Sequence, residues 1–362
     1  MRPTSRTREI EAAVSRVDGP VTAVDLDETG WLRDPAGGGS VPYHALHDHF
    51  GERLAPPSWA TDLFVYVHGW QTGPESAVRA AARLRILMCE RLAARARFYP
   101  ALAVSGFEPW MLVVRWPSAS RPGPIGYRRV RNRAHAMGSR DGKGHAAHVI
   151  GRLLGYLDTE RPDPLEPALL SNREGQYLHL VGHSFGCRLL CEAVAWAADA
   201  SLGGPTLGWN EATRDWLRPF TVDSMLLFQM AAPRDAFGSM FSGLAPAPDR
   251  KAAPLRGPVV ATYSRHDRAN GLWHLGAEGK LGVGHSGIDP ASVPVSTAVA
   301  GTRLLSGDER YLVRDLDHPF VNVDATKGFS RGGRLNPAGA HSVHICLESA
   351  HLLLSLADFS RP

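Results

Sequence analysis

From residue 62 onward the chain alternates short apolar runs with longer amphipathic ones, and this alternation narrows its possible folds more than any other feature. Leu63-Phe64-Val65-Tyr66-Val67 is apolar at every position, and Trp110-Met111-Leu112-Val113-Val114-Arg115-Trp116 nearly so. Tyr177-Leu178-His179-Leu180-Val181, Val222 to Met230 and Pro258 to Tyr263 are of the same kind. A strand without polar alternation is buried on both faces. Between the runs lie stretches with helical periodicity, about 75–96, 145–157 and 187–200, and the chain closes on another at 348–359. Strand, helix, strand in succession predicts an α/β fold: a mostly parallel sheet with helices on both faces. No internal repeat interrupts it.

Composition supports one well-packed body and excludes several classes. At 362 residues and 44% hydrophobic, the chain can bury a full core, and 21% charged residues do not suggest disorder. A net charge of +4 is too small to argue for nucleic acid. The run Arg128-Arg129-Val130-Arg131-Asn132-Arg133, with Arg140, reads first as a solvated face, and an anionic substrate or acidic surface is the next reading. Four cysteines, at 89, 187, 191 and 346, match no zinc spacing and no disulfide framework. Residues 1–16 lack an apolar leader, and no run reaches the roughly 18 apolar residues of a membrane span. A cytoplasmic chain without a transmembrane segment is expected, with peripheral membrane contact left open.

Residues 1–60 read as an N-terminal extension ahead of a domain at 61–362. Within it, Val21 to Asp27 and the short Trp31-Leu32 suggest two strands around a turn. His44, His47, Asp48 and His49 invite a metal reading, but they share no helical face with an open fourth position, so a polar loop and no metal are expected. Two Pro/Gly-rich stretches, 201–219 and 236–257, look like excursions that would form a cap.

Gly182-His183-Ser184-Phe185-Gly186 stands where the third apolar run meets its helix. The bare Gly-x-Ser-x-Gly pattern is weak, and the chain holds a second copy at Gly328-Phe329-Ser330-Arg331-Gly332. Context separates the two. A nucleophile elbow needs a buried strand before the serine, a helix after it, and small flanking residues for the tight turn. Ser184 has all three. Ser330 precedes Gly333-Arg334-Leu335-Asn336-Pro337, which cannot be helical, and leaves too little chain for partners. Ser184 is therefore the expected nucleophile and Ser330 a loop residue.

An activated serine needs a base, an acid that orients the base, and N–H donors for the oxyanion. The order on such a fold is serine, acid, histidine. Asp267, reached from Val259–Tyr263 through Ser264-Arg265-His266, is the expected acid, with Asp235 as competitor. His341 follows a loop and precedes the last helix, and is the expected base ahead of His344; His318 is a distant third, and His351 falls inside the last helix. Phe185 N–H is one expected oxyanion donor. Trp70 N–H, from the turn His68-Gly69-Trp70-Gln71, is the other, with Gln71 as its alternative. His68, Gly69, Trp116 and His183 flank this place and are expected to contact substrate.

Several of these segments together resemble a known group. They are Tyr66-Val67-His68-Gly69-Trp70-Gln71-Thr72, Arg115-Trp116-Pro117-Ser118, Leu180 to Gly186, Ala231-Ala232-Pro233, Tyr263 to Ala269 and Ala340-His341-Ser342. They look like the bacterial serine-esterase-like α/β-hydrolases, a group of uncharacterised function, over about residues 62–355. Members often carry Phe or Tyr and then Asn where this chain has Trp70-Gln71, and Met where it has Phe185. The resemblance implies an α/β-hydrolase fold, a Ser184–Asp267–His341 triad, no metal or organic cofactor, and cleavage of a small-molecule or lipid ester. Two other classes stay open: an amidase or peptidase with the same triad, and a non-catalytic binding or scaffold protein.

Overall fold

The computed structural model describes residues 20–138, 144–159, 176–197, 222–244, 255, 257–294, 297–330 and 337–361. Its centre is one eight-stranded sheet, parallel throughout. In chain order the strands are β1 (Val21–Asp25), β2 (Asp62–Val67), β3 (Pro109–Arg115), β4 (Tyr177–His183), β5 (Ser224–Phe228), β6 (Val259–Tyr263), β7 (Val299–Arg303) and β8 (Phe320–Asp324). Across the sheet they run β1-β3-β2-β4-β5-β6-β8-β7.

The apolar runs are explained by layers on both faces. Leu63, Val65 and Val67 of β2 join one apolar cluster, and Phe64 and Tyr66 join the other. The first cluster holds the helices Leu46–Arg53, Pro124–Gly138, Ala146–Thr159 and Phe185–Ala197; the second holds Pro74–Arg95, Pro100–Ser105 and Leu347–Phe359. The expected parallel sheet with helices on both faces is what the chain forms.

Three segments depart from the sequence reading. From residue 20 on, the stretch expected as an extension contributes β1, which pairs with β3 from Val21↔Met111 to Asp25↔Arg115. The excursion expected at 236–257 begins as core, because Phe237 and Phe241 are fully buried and Phe237 packs its ring on Phe320. Residues 245–254 and the other expected excursion, 201–219, lie outside the described residues. Strands β7 and β8 carry no readable signal. β7 is a half-exposed edge of sequence Val-Ala-Gly-Thr-Arg, and β8 interrupts its apolar residues with Asn322 and Asp324.

The strand order reverses beside β2: β3 lies on one side of it and β4 on the other. In parallel sheets the crevice at such a switch, beyond the carboxyl ends of the strands, is where ligands bind. There β2 runs into His68-Gly69-Trp70, β4 into Ser184, and further along β6 leads to Asp267. Among the described residues no helix is long and apolar enough to cross a membrane. All four cysteines are free thiols.

Candidate active site

Ser184 sits between the last residue of β4 and the first of the Phe185–Ala197 helix, with φ = 55°. A serine in this left-handed region costs on the order of 1–3 kcal/mol and persists only where its surroundings hold it. They do so here through the backbone. Ser184 N–H donates to Phe228 O at 3.0 Å, and Ser184 C=O accepts from Ala231 N–H at 3.1 Å. The turn also needs room: a Cβ on Gly186 would come 2.2 Å from the Val67 carbonyl oxygen. The second motif copy differs as expected, since Ser330 is exposed and follows no strand directly.

His341 Nε2 lies 2.8 Å from Ser184 Oγ, and His341 Nδ1 lies 2.9 Å from Asp267 Oδ2. These residues are 157 and 74 positions apart in the chain. All three are buried. The loops that carry base and acid are stitched to each other, which fixes the relay. Arg268 N–H donates to Ala338 O at 3.2 Å and Ala340 N–H to His266 O at 3.0 Å, around a bridge between Asp267 and Gly339.

The competitors are engaged elsewhere. Asp235 pairs with Lys280. His344 faces Tyr66 Oη at 3.2 Å and stacks on His183. His351 lies between Tyr99 Oη and the Glu309 carbonyl, and His318 donates to Arg314 O at the surface.

Two residues that the sequence did not single out complete the acid. Asn270 donates from its backbone N–H to Asp267 Oδ1 at 3.0 Å and from Nδ2 to Oδ2 at 2.8 Å. Gln229 Nε2 lies 3.3 Å from the same Oδ2 and also donates to Ala340 O at 3.0 Å. Asp267 thus accepts from amides and an imidazole, and no lysine or arginine pairs with it among the described residues. Such neutral donors stabilise a buried carboxylate without cancelling its charge. The one available signal for Gln229 was a polar residue closing the apolar run that ends at Phe228. Its φ of 47° marks the same kind of constrained turn as Ser184.

On the other side of Ser184 stands the turn after β2. A Cβ on Gly69 would come 2.8 Å from Ser184 Cβ, so the turn approaches the serine as closely as a backbone can. His68 Nδ1 donates to Gly69 O at 3.0 Å. In a trans peptide the carbonyl and the following N–H point opposite ways, so this bond turns Trp70 N–H away from the His68 ring. Trp70 N–H makes no hydrogen bond among the described residues, whereas Gln71 N–H is occupied by Ser118 O at 3.1 Å. That removes the Gln71 alternative. Phe185 N–H opens a helix, where the first N–H groups have no partner within the helix.

The expected substrate contacts take supporting places. His68 Nε2 accepts from Trp116 N–H at 3.2 Å, and Trp116 Nε1 donates to His68 O at 2.7 Å. His183 Nε2 donates to His341 O at 2.8 Å. These three side chains are buried and brace the Gly69 turn and the His341 loop. Burial pushes the His68 imidazole down to about 4 and that of His344 to about 3, the latter also through the charge of His341. Burial, with His344 and His341 beside it, holds His183 well below its ordinary value. All three are uncharged at neutral pH.

Trp70 itself stands edge-on to Tyr127 and Trp273, with ring centroids 5.6 and 5.4 Å away, and Tyr127 packs on Phe185. Trp70, Trp273, Tyr127 and Phe185 thus form one series of ring contacts that ends on the residue after Ser184. The cluster expected as a polar loop is helical instead, over Tyr43–Ala45 and Leu46–Arg53, and its His44 and His47 are exposed at a different place, beside the Ala146–Thr159 helix. Among the described residues no group of three or more His, Cys, Asp or Glu is placed to hold a metal ion. No protein-family model matches this sequence, and no curated protein matches it.

Proposed function

We propose that this chain is a serine hydrolase of the α/β-hydrolase fold that cleaves a carboxylic ester through Ser184, His341 and Asp267. The observation that carries it is the continuous relay Ser184 Oγ–His341 Nε2 and His341 Nδ1–Asp267 Oδ2, at 2.8 and 2.9 Å, on a serine held at φ = 55°. That turn lifts the hydroxyl from the end of β4 to the crevice where the strand order reverses.

The chemistry follows from the atoms. His341 Nε2 takes the Ser184 proton as Oγ attacks the ester carbonyl. Charge that develops on the carbonyl oxygen is received by Trp70 N–H and Phe185 N–H, two donors already in place before the reaction. The Asp267 carboxylate holds His341 in the tautomer with Nδ1 protonated and stabilises its cation. His341 then returns the proton to the departing alcohol, leaving an acyl group on Ser184. Water, activated by His341, attacks that acyl group and regenerates the serine. The aromatic rings around Trp70 suit an ester whose acyl or aryl part is apolar.

Ser184→Ala is expected to lower turnover of a chromogenic short-chain ester about a million-fold, to near background, with thermal unfolding nearly unchanged. A fluorophosphonate probe is expected to label the native chain and not the variant. Equal turnover, or equal labelling, in the two would refute the proposal.

A further inference from the structure

A second site lies away from Ser184, between the Leu46–Arg53 and Ala146–Thr159 helices. On the latter, His148, Arg152 and Tyr156 recur at intervals of four and so share one face. Facing them are Tyr43, His44 and His47 at the start of the other helix, with Phe50 one turn on. Between the two walls is a cavity of about 240 Å³. That is below the roughly 300–1,000 Å³ that accommodates drug-sized ligands, so its occupant carries about one ring.

The cation in this cavity is unusual. Arg152 is half-buried, yet it has no carboxylate partner among the described residues, and no acidic residue lines the cavity. Among the described residues its one hydrogen bond runs from Nε to His148 Nε2 at 3.4 Å, and neither terminal nitrogen of the guanidinium is engaged by them. His148 is fixed in turn by stacking between Tyr43 and Trp196, at 3.8 and 4.5 Å between ring centroids. Burial, and the charge of Arg152, push the His148 imidazole down to about 4, so at neutral pH it accepts from Arg152 and adds no second charge. A half-buried arginine fork with free N–H groups is matched by an oxyanion with two accessible oxygens. The exposed His44 and His47 supply further ring N–H donors, and Phe50 and Tyr156 supply the apolar part of the lining, while the faces of Tyr43 are taken by His148 and Trp31.

We propose that this cavity binds a small aryl phosphomonoester, its phosphate on Arg152 with His44 and His47, and its ring against Phe50 and Tyr156. The site is independent of the chemistry at Ser184. It assigns a role to the histidine cluster 44–49 that the candidate active site does not use.

The test is calorimetric titration of the full chain carrying Ser184→Ala, so that turnover cannot intrude. Phenyl phosphate is expected to bind with a Kd of about 1 mM or tighter, several-fold better than inorganic phosphate, while phenol shows no binding. Arg152→Gln is expected to weaken phenyl phosphate roughly tenfold or more. His47→Ala, at an exposed position, is expected to weaken it several-fold. Absence of binding at millimolar phenyl phosphate, or unchanged affinity in both variants, overturns the site. Benzoate or phenol binding as tightly as phenyl phosphate overturns the phosphate assignment.

Discussion

The two ends of the sheet each carry a serine, a histidine and an aspartate in hydrogen-bonded series, and the two series are built differently. At the carboxyl end stand Ser184, His341 and Asp267. At the amino end, His179 Nδ1 lies 2.8 Å from Ser224 Oγ, and its Nε2 lies 3.2 Å from Asp62 Oδ1. Every member of both sets is buried. The differences lie in the backbone, the donors and the charge. Ser224 is the first residue of β5 and has no left-handed backbone, so nothing turns its hydroxyl out of the sheet. Asp62 is clamped by Arg361, whose Nη1 and Nη2 donate to its two oxygens at 3.0 and 2.7 Å. A carboxylate neutralised by a bidentate guanidinium has little field left to stabilise an imidazolium. Asp267 is held instead by the amides of Asn270 and Gln229, and no guanidinium pairs with it among the described residues. A triad of side chains is therefore not itself a site; the two sets differ in the partners of the acid and in the backbone of the serine.

Four substitutions or conditions would break or sharpen this contrast. The largest effect is expected from Asp267→Asn. It keeps the shape but favours the wrong imidazole tautomer, and kcat for a chromogenic ester should fall about 10⁴-fold with unfolding little changed. A loss of stability in place of activity would place Asp267 with Asp62 as a structural acid.

Asp62→Asn should do the reverse. It leaves Arg361 buried without its counter-charge, and the unfolding free energy should drop by about 3–5 kcal/mol, while turnover per folded molecule is retained. Denaturant melts paired with active-site titration would read both quantities.

Acid should attack the two ends in different pH windows. At the carboxyl end His68, His183 and His344 are depressed in the folded state, mainly by burial. The unfolded chain binds protons there first, so the stability they carry is complete above about pH 6.5 and declines as pH falls below it. Each contributes up to about 1.4 kcal/mol per pH unit. At the amino end burial raises the Asp62 carboxyl, but the His179 hydrogen bond and the Arg361 charge outweigh it and hold it below the usual carboxylate range. Its contribution is present above the ordinary carboxylate pKa and is lost only as pH falls through the lower folded value. His344→Phe should flatten the unfolding free energy between pH 6.5 and 4, and Asp62→Asn should leave that slope alone. The opposite pattern would reverse the assignment of the two ends.

The smallest effect is expected from Ser224→Ala, which removes one neutral hydrogen bond and should cost about 0.5–1.5 kcal/mol with no change in turnover. Loss of probe labelling in that variant would show that the amino-end serine reacts after all.

Much of the carboxyl end was legible because its signals are local. The strand at Leu178–Val181, the glycines at 182 and 186 and the helix after Phe185 lie within a dozen residues, and together they mark the turn at Ser184. Asp267 and His341 were reachable because the order of elements restricts which loops meet at that end of the sheet. Asn270 and Gln229 were not, since a lone amide after a strand looks like any turn residue. β7 and β8 were hidden because an edge strand and its neighbour do not need two apolar faces. Phe237 and Phe241 were obscured by the glycines and prolines around them.

The sequence alone determined that this chain builds a parallel sheet between helical layers, and where along it the sharp turn bearing Ser184 must fall. Both follow from periodicity and turn chemistry, which act over a few neighbouring residues. Only the tertiary structure decided which acid is clamped by a cation. Arg361 reaches Asp62 from 299 positions away, and Asp267 is met by Gln229 from 38 positions away. Electrostatics depends on distance in space and on burial, and neither is written in the local pattern of the chain.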